Sequence, residues 1–158
     1  MASKWMIWTG VAVFLLDQIS KFLVVQMMDL KTIGSLDIAA PYLTLRMAWN
    51  QGVNFGLFSN DADVMRWVLI AVAVLISGWV AIWISRDGSG IPAKVAAGML
   101  VGGAMGNVAD RLIYGAVADF LNMSCCGIDN PYAFNVADIA VFAGAFGLIL
   151  FAGNKKAA

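Results

Sequence analysis

The sequence predicts an all-α membrane protein with a small β element, in which four transmembrane helices carry an extracytoplasmic β-sheet and loop at the outer membrane surface. Of the 158 residues, 61% are apolar and only 13% are charged, whereas an average soluble domain has about 25% charged residues. Four apolar runs approach the roughly 20 residues that cross a bilayer. We expect one membrane domain over residues 1–158, with helices at about 5–28, 64–84, 93–114 and 135–152.

The first helix is expected to be retained, not removed as a signal peptide. Its apolar run extends past the 7–15 residues of a typical signal-peptide core and contains Asp17, Gln18 and Lys21. Ionisable groups in hydrocarbon indicate either function or an interior ion pair. Asp17 and Lys21 are four residues apart and share one helical face, so both interpretations stay open for them.

The long connection after the first helix is predicted to form an outer β region over about 33–60. Apolar and polar or small residues alternate over 42–50, which is the period of a half-buried strand. Gln51 and Gly52 then favour a turn into a second short strand near 54–58. The sequence therefore predicts a small sheet on the outer membrane surface.

The third helix combines a glycine repeat with a polar end. Gly98, Gly102 and Gly106 recur every four residues, which permits close approach of a neighbouring helix. Polar side chains three or four residues apart follow on one face; they are Asn107, Asp110 and Arg111. From residue types alone, the adjacent charges of Asp110 and Arg111 favour a structural tether at the helix end.

The fourth helix follows a connection, 115–134, that is long enough to be functional. The connection contains Asp119, and the helix begins with Asn135 and Asp138 on one face. Asp119 alone could be a solvated loop acid, and Asp138 could be an acid favoured by the helix dipole. Both structural interpretations are as good as functional ones at this point.

The distribution of Lys and Arg outside the apolar cores favours both termini in the cytoplasm. The inner side has five basic residues, namely Lys4, Arg86, Lys94, Lys155 and Lys156, and the outer side has four, namely Lys31, Arg46, Arg66 and Arg111. In that orientation, the polar ends of the first, third and fourth helices lie in the same outer leaflet. We therefore expect the functional site near the outer face.

The side chains that are present leave carboxylates as the candidate catalytic groups. The chain has no histidine, and all ten acidic residues are aspartate, which excludes His-containing triads and zinc sites. Zero net charge and the absence of a basic stripe argue against nucleic acid. Two aspartates in one site can divide the roles of base and acid, because their repulsion raises one pKa. An aspartyl hydrolase is the resulting hypothesis.

Two alternatives stay open on the residues alone. A small proton-coupled transporter or channel component would use intramembrane Asp and Lys residues as a proton relay. A nucleophilic peptidase would pair Ser20 with Lys21, although neighbouring residues on a helix point about 100° apart.

Four sequence motifs resemble, in order and spacing, those of the bacterial lipoprotein signal peptidase family, signal peptidase II. They are Asp17-Gln-Ile-Ser-Lys21, Asn50-Gln-Gly-Val-Asn-Phe55, Gly102 to Arg111 followed by Gly115-Ala-Val-Ala-Asp-Phe120, and Phe134-Asn-Val-Ala-Asp138. Together they span nearly the whole chain, which makes the resemblance highly specific.

The resemblance implies an aspartic endopeptidase of the bacterial inner membrane that cleaves a prolipoprotein before a diacylglyceryl-modified cysteine. It implies Asp119 and Asp138 as the catalytic pair. It further implies substrate-binding or dyad-supporting roles for Asp17, Lys21, Asn50, Asn107, Asp110, Arg111 and Asn135. No metal or other cofactor is implied, and the expected partners are the precursor and membrane lipids, with the enzyme itself a monomer.

Overall fold

A computed structural model describes residues 3–40, 42–52, 62–125, 127 and 130–153. The fold is mostly helical, with one three-stranded antiparallel sheet. In chain order the elements are α1 (Ser3–Lys21), a π-helix (Phe22–Met27), α2 (Leu30–Ile33), β1 (Ser35–Ala39), β2 (Leu43–Asn50), α3 (Ala62–Arg86), α4 (Ile91–Tyr114), β3 (Val117–Asn122) and α5 (Val136–Phe151).

Helix α4 is the centre of the bundle and packs against α1, α3 and α5. Its contact with α1 is backbone against backbone, because a Cβ added at Gly102 would collide with the carbonyl oxygen of Gly10. On the α5 side, a Cβ at Gly103 would lie 2.5 Å from the carbonyl oxygen of Ala137. The close approach predicted from the glycine repeat is therefore confirmed.

The sheet has the order β1-β2-β3, and both pairings are antiparallel. The predicted strand over 42–50 is confirmed as β2, whereas the predicted second strand near 54–58 lies outside the described residues. Strand β3 was not predicted, because it lies in the segment interpreted as a loop. Its residues Val117 to Phe120 are all buried, so they lack the alternation that marks a half-buried strand.

Among the described residues, two helical segments are long and apolar enough to cross a membrane, Lys4–Met27 and Asp63–Arg86. Helix α5 is apolar but shorter, and α4 contains many glycines together with Lys94, Asp110 and Arg111. Large apolar side chains on the outer faces of the helices are exposed, among them Leu75 and Ile149. Exposed apolar surface on this scale fits a protein whose solvent is lipid.

Candidate active site

Asp119 and Asp138 meet where β3 and the first turn of α5 come together at the end of α4. Asp119 is 2% exposed; its Oδ1 accepts a hydrogen bond from Asn135 Nδ2 at 2.6 Å, and its Oδ2 accepts one from Asn50 Nδ2 at 3.0 Å. Asp138 Oδ1 accepts a hydrogen bond from Asn107 Nδ2 at 2.8 Å. Amide side chains from β2, α4 and the start of α5 thus hold both carboxylates.

Asn135 connects the two carboxylates through its position at the N-terminus of α5. Its side-chain oxygen accepts from the backbone N–H of Asp138 at 2.9 Å, and its own backbone N–H donates to Asp138 Oδ2 at 3.2 Å. This is a capping box. The same Asn135 Nδ2 that donates to Asp119 lies 3.1 Å from Asn107 Oδ1. One fully buried side chain therefore sets the relation between the two aspartates.

The surroundings of Asp119 favour its protonated form. Burial, followed by the negative charge of Asp138, raises the pKa of Asp119 to about 6, although the hydrogen bonds from Asn50 and Asn135 and the charge of Lys21 act in the opposite direction. The site thus combines a carboxyl group that can hold a proton near neutral pH with a second carboxylate close by. Such a pair can supply a base and an acid together.

A second polar cluster lies beneath the first and joins α1 to α4. Lys21 Nζ lies 2.8 Å from Asp17 Oδ2 and 2.8 Å from Asp110 Oδ2, and both aspartates are fully buried. Gln18 Nε2 donates to Asp17 Oδ2 at 3.0 Å and to Asp110 Oδ1 at 3.1 Å. The structural tether predicted at this helix end is present for Asp110, and its ion-pair partner is Lys21 of α1.

Arg111 lies closer to the first cluster. Its Nη1 donates to the backbone carbonyl oxygen of Asn107 at 3.3 Å, and its charge interacts with Asp119, Asp138 and Asp110. Its buried Nε has no hydrogen-bond partner among the described residues. Arg111 therefore places a positive charge beside the carboxylates and retains an unused donor there.

All nine sequence-predicted residues lie in these two adjacent clusters. Sequence reasoning missed the role of Gln18, which bonds to both Asp17 and Asp110. Its signal in the sequence is the same as that of Asp17, because both are polar side chains within an apolar run. It also missed the backbone N–H groups of Ala118 and Ala137, which donate to Asp110 and Asp17. No sequence signal marks a backbone donor of this kind.

Two other chemistries are not supported by the geometry. Ser20 Oγ donates to the backbone carbonyl oxygen of Asp17 at 2.7 Å, and Lys21 Nζ lies 2.8 Å from both Asp17 Oδ2 and Asp110 Oδ2. Both side chains thus bond to other groups, and the geometry does not support the Ser20 and Lys21 alternative. Within the described ranges, no three His, Cys, Asp or Glu side chains are grouped as metal ligands.

Comparison with known proteins shows the family of this chain. The family model described as "Signal peptidase (SPase) II" matches residues 9–153. The lipoprotein signal peptidase of Methylobacterium sp. (strain 4-46) is 39% identical over 142 residues, covering 90% of this chain and 84% of that protein. The lipoprotein signal peptidase of Vibrio parahaemolyticus is 34% identical over 158 residues, covering 97% and 89%.

The fold agrees as well. A solved structure described as a bacterial membrane enzyme superposes with a TM-score of 0.77 at 26% identity, covering 92% of this chain and 90% of that one. The family match extends over nearly the whole chain and includes every residue of both polar clusters. This membrane protein belongs to the signal peptidase II family.

Proposed function

We propose that Asp119 and Asp138 are the catalytic pair of an aspartic endopeptidase. As a member of its family, the protein is a peptidase that removes signal peptides from prolipoproteins. The observation that supports the aspartic mechanism is the arrangement of the four carboxylate oxygens. Each accepts one hydrogen bond from an amide group, which leaves a further lone pair on every oxygen for a proton or a water molecule.

In the proposed mechanism the two carboxyl groups share one proton. The ionised carboxylate takes a proton from a water molecule, whose oxygen attacks the scissile carbonyl carbon, while the protonated group donates to the carbonyl oxygen. The tetrahedral intermediate collapses as one of its hydroxyl groups returns a proton to the dyad, the C–N bond breaks and the leaving nitrogen receives the other dyad proton. Because the two carboxyl groups titrate as one coupled unit, the roles of base and acid belong to the pair and not to one fixed residue each.

The proposed substrate is a precursor whose cysteine carries a diacylglyceryl group, cleaved just before that residue. A signal peptide is itself a short apolar helix, so it can reach the site from the lipid phase. The polar clusters lie at one end of the bundle, next to the sheet, which matches cleavage at a membrane surface. Arg111 Nε is a donor suited to a substrate carbonyl or lipid head-group oxygen.

We further propose four spans, α1, α3, α4 and α5, in the bacterial inner membrane, with both termini in the cytoplasm. Helix α5 has 16 residues and is about 24 Å long at 1.5 Å per residue. Its N-terminal turn carries Asp138, so the site would lie slightly inside the outer boundary. Helix α4 contains Lys94, Asp110 and Arg111, and α1, α3 and α5 pack around it. We propose one domain over 1–158 that acts as a monomer, without a cofactor or nucleic acid.

The family assignment favours the peptidase over the transporter or channel component. The two polar clusters are contiguous and lie at one end of the bundle. A proton relay would instead need polar groups along its length.

The test is cleavage by the reconstituted protein of a diacylglyceryl-modified prolipoprotein. Asp119→Asn and Asp138→Asn should each lower kcat by about 10²–10⁴-fold, the contribution of general acid–base catalysis. Asp63→Asn is the matched control, because Asp63 is largely exposed at the start of α3, and it should retain wild-type turnover. Undiminished cleavage by both folded dyad variants would refute the catalytic assignment.

A further inference from the structure

Lys21 occupies a position that the proposed mechanism does not use. Its side chain is buried, with the residue only 5% exposed, and its ammonium lies 2.8 Å from a carboxylate oxygen of Asp17 and 2.8 Å from one of Asp110. Asp17 and Lys21 belong to α1, whereas Asp110 belongs to α4. The ammonium is therefore the point at which the two helices are joined by charge.

Each of the two carboxylates also holds the backbone next to one member of the dyad. Asp17 Oδ1 accepts from the N–H of Ala137 at 2.9 Å, and Ala137 immediately precedes Asp138. Asp110 Oδ2 accepts from the N–H of Ala118 at 3.1 Å, and Ala118 immediately precedes Asp119. A continuous path of short contacts thus runs from one proposed catalytic residue to the other through the Lys21 ammonium.

Little room exists for this arrangement to relax. A Cβ added at Gly106 would lie 2.5 Å from Asp17 Oδ2, so the carboxylate is packed directly against the α4 backbone. Gln18 bridges the same two carboxylates from the side. Stability alone does not require such a cluster, because buried ion pairs replaced by apolar residues are often as stable. What an apolar cluster would not supply is a fixed position for the N–H groups of Ala118 and Ala137.

We propose that Lys21 is a positioning residue that sets the separation of the two proposed catalytic carboxylates. It draws Asp17 and Asp110 together, and these fix the backbone in front of Asp138 and Asp119. This inference rests on the proposed function of the dyad.

The separation matters because the two carboxyl groups must share a proton. Their mutual repulsion favours a single proton shared by the pair, and it weakens as the distance between the carboxyl groups grows. A displacement of about 1 Å in a catalytic group can cost about 100-fold in rate. A looser pair should therefore show both a lower kcat and a narrower pH range of activity.

The first experiment compares Lys21→Met with Lys31→Met in the reconstituted enzyme. Both substitutions remove an ammonium, but Lys31 is exposed and bonds only to Gln26 in the described structure. We expect kcat of Lys21→Met to fall about 100-fold with KM nearly unchanged, and Lys31→Met to match the wild type.

A second pair of variants keeps every charge. Gly106→Ala adds a methyl group that displaces the Asp17 carboxylate, whereas Gly78→Ala adds one where no atom lies within 4 Å. We expect Gly106→Ala to lower kcat and to bring the acidic and alkaline limbs of its pH profile closer together. Gly78→Ala should keep the wild-type profile.

Wild-type kcat and pH profile in folded Lys21→Met and Gly106→Ala would overturn the proposal. The proposal would also be overturned if activity fell only because less protein folded, with the remaining enzyme turning over at the wild-type rate. A failure of both variants to fold would overturn it as well. Full activity of folded Asp119→Asn and Asp138→Asn would instead refute the proposed function, whichever result Lys21→Met gives.

Discussion

Asp119 is a buried residue of β3, and both of its carboxylate oxygens accept hydrogen bonds from neutral amide groups. Neutral donors stabilise a carboxylate less than charged ones do, so burial and the charge of Asp138 outweigh them and raise the pKa of Asp119 to about 6. Because this value exceeds the ordinary 3.8, the folded chain binds more protons at Asp119 than the unfolded chain between these pH values. The free energy of unfolding should therefore fall as pH rises from 3.8 to about 6.

The same shift predicts the pH dependence of cleavage. The active dyad holds one proton, so kcat should decrease as pH rises through about 6, where that proton is lost.

Asp138→Asn removes a negative charge that raises the pKa of Asp119, so this substitution should lower the pKa of Asp119. Carboxyl ¹³C NMR of the two proteins would measure the change. An unchanged Asp119 pKa in the folded variant would contradict the proposed proximity of the two groups.

At the level of secondary structure elements, glycine contacts decide how closely the helices approach. Gly102→Ala should destabilise the protein by about 1–3 kcal/mol, the cost of overpacking, because the added methyl group meets the Gly10 backbone of α1. Gly78→Ala is the matched control on α3, where the space is open. Reversible unfolding in mixed micelles gives both values, and equal stability of the two variants would contradict this packing.

The sequence predicted those elements whose pattern is local. The glycine period marked the α4 contact, and the alternation over 42–50 marked β2. Strand β3 was missed because its side chains are buried whichever way they point, which is a consequence of tertiary packing. The adjacent charges of Asp110 and Arg111 indicated a tether at the helix end, but the ion-pair partner of Asp110 is Lys21, 89 positions away in the chain. The members of the site were therefore predictable, and their pairing was not.

At the scale of the whole molecule, a central helix is surrounded by three others, and the proposed site residues lie at one end of this bundle. Helices α1, α3 and α5 pack around α4. Length and hydropathy mark two membrane-crossing segments among the described residues, whereas the apolar runs of the sequence predict four spans. The proposed topology then depends on which end of α4 faces outward.

Cysteine labelling tests that topology. In a background with Cys125→Ser and Cys126→Ser, Asp37→Cys places an exposed thiol in β1, and Ser85→Cys places one near the end of α3. A membrane-impermeant maleimide applied to spheroplasts should label Asp37→Cys directly and Ser85→Cys only after permeabilisation. The reverse pattern would overturn the proposal that both termini are cytoplasmic.

The capping box at the start of α5 has a consequence for any inhibitor that binds the proposed dyad. Asp138 closes that box and also belongs to the proposed dyad, so a substitution that weakens inhibitor contact at Asp138 would lose both the proposed catalytic group and a capping contact of the helix. The amide side chain of Asn135 is constrained in the same way, since it caps the helix and holds Asp119. Compounds that contact both residues should therefore select resistance elsewhere in the chain.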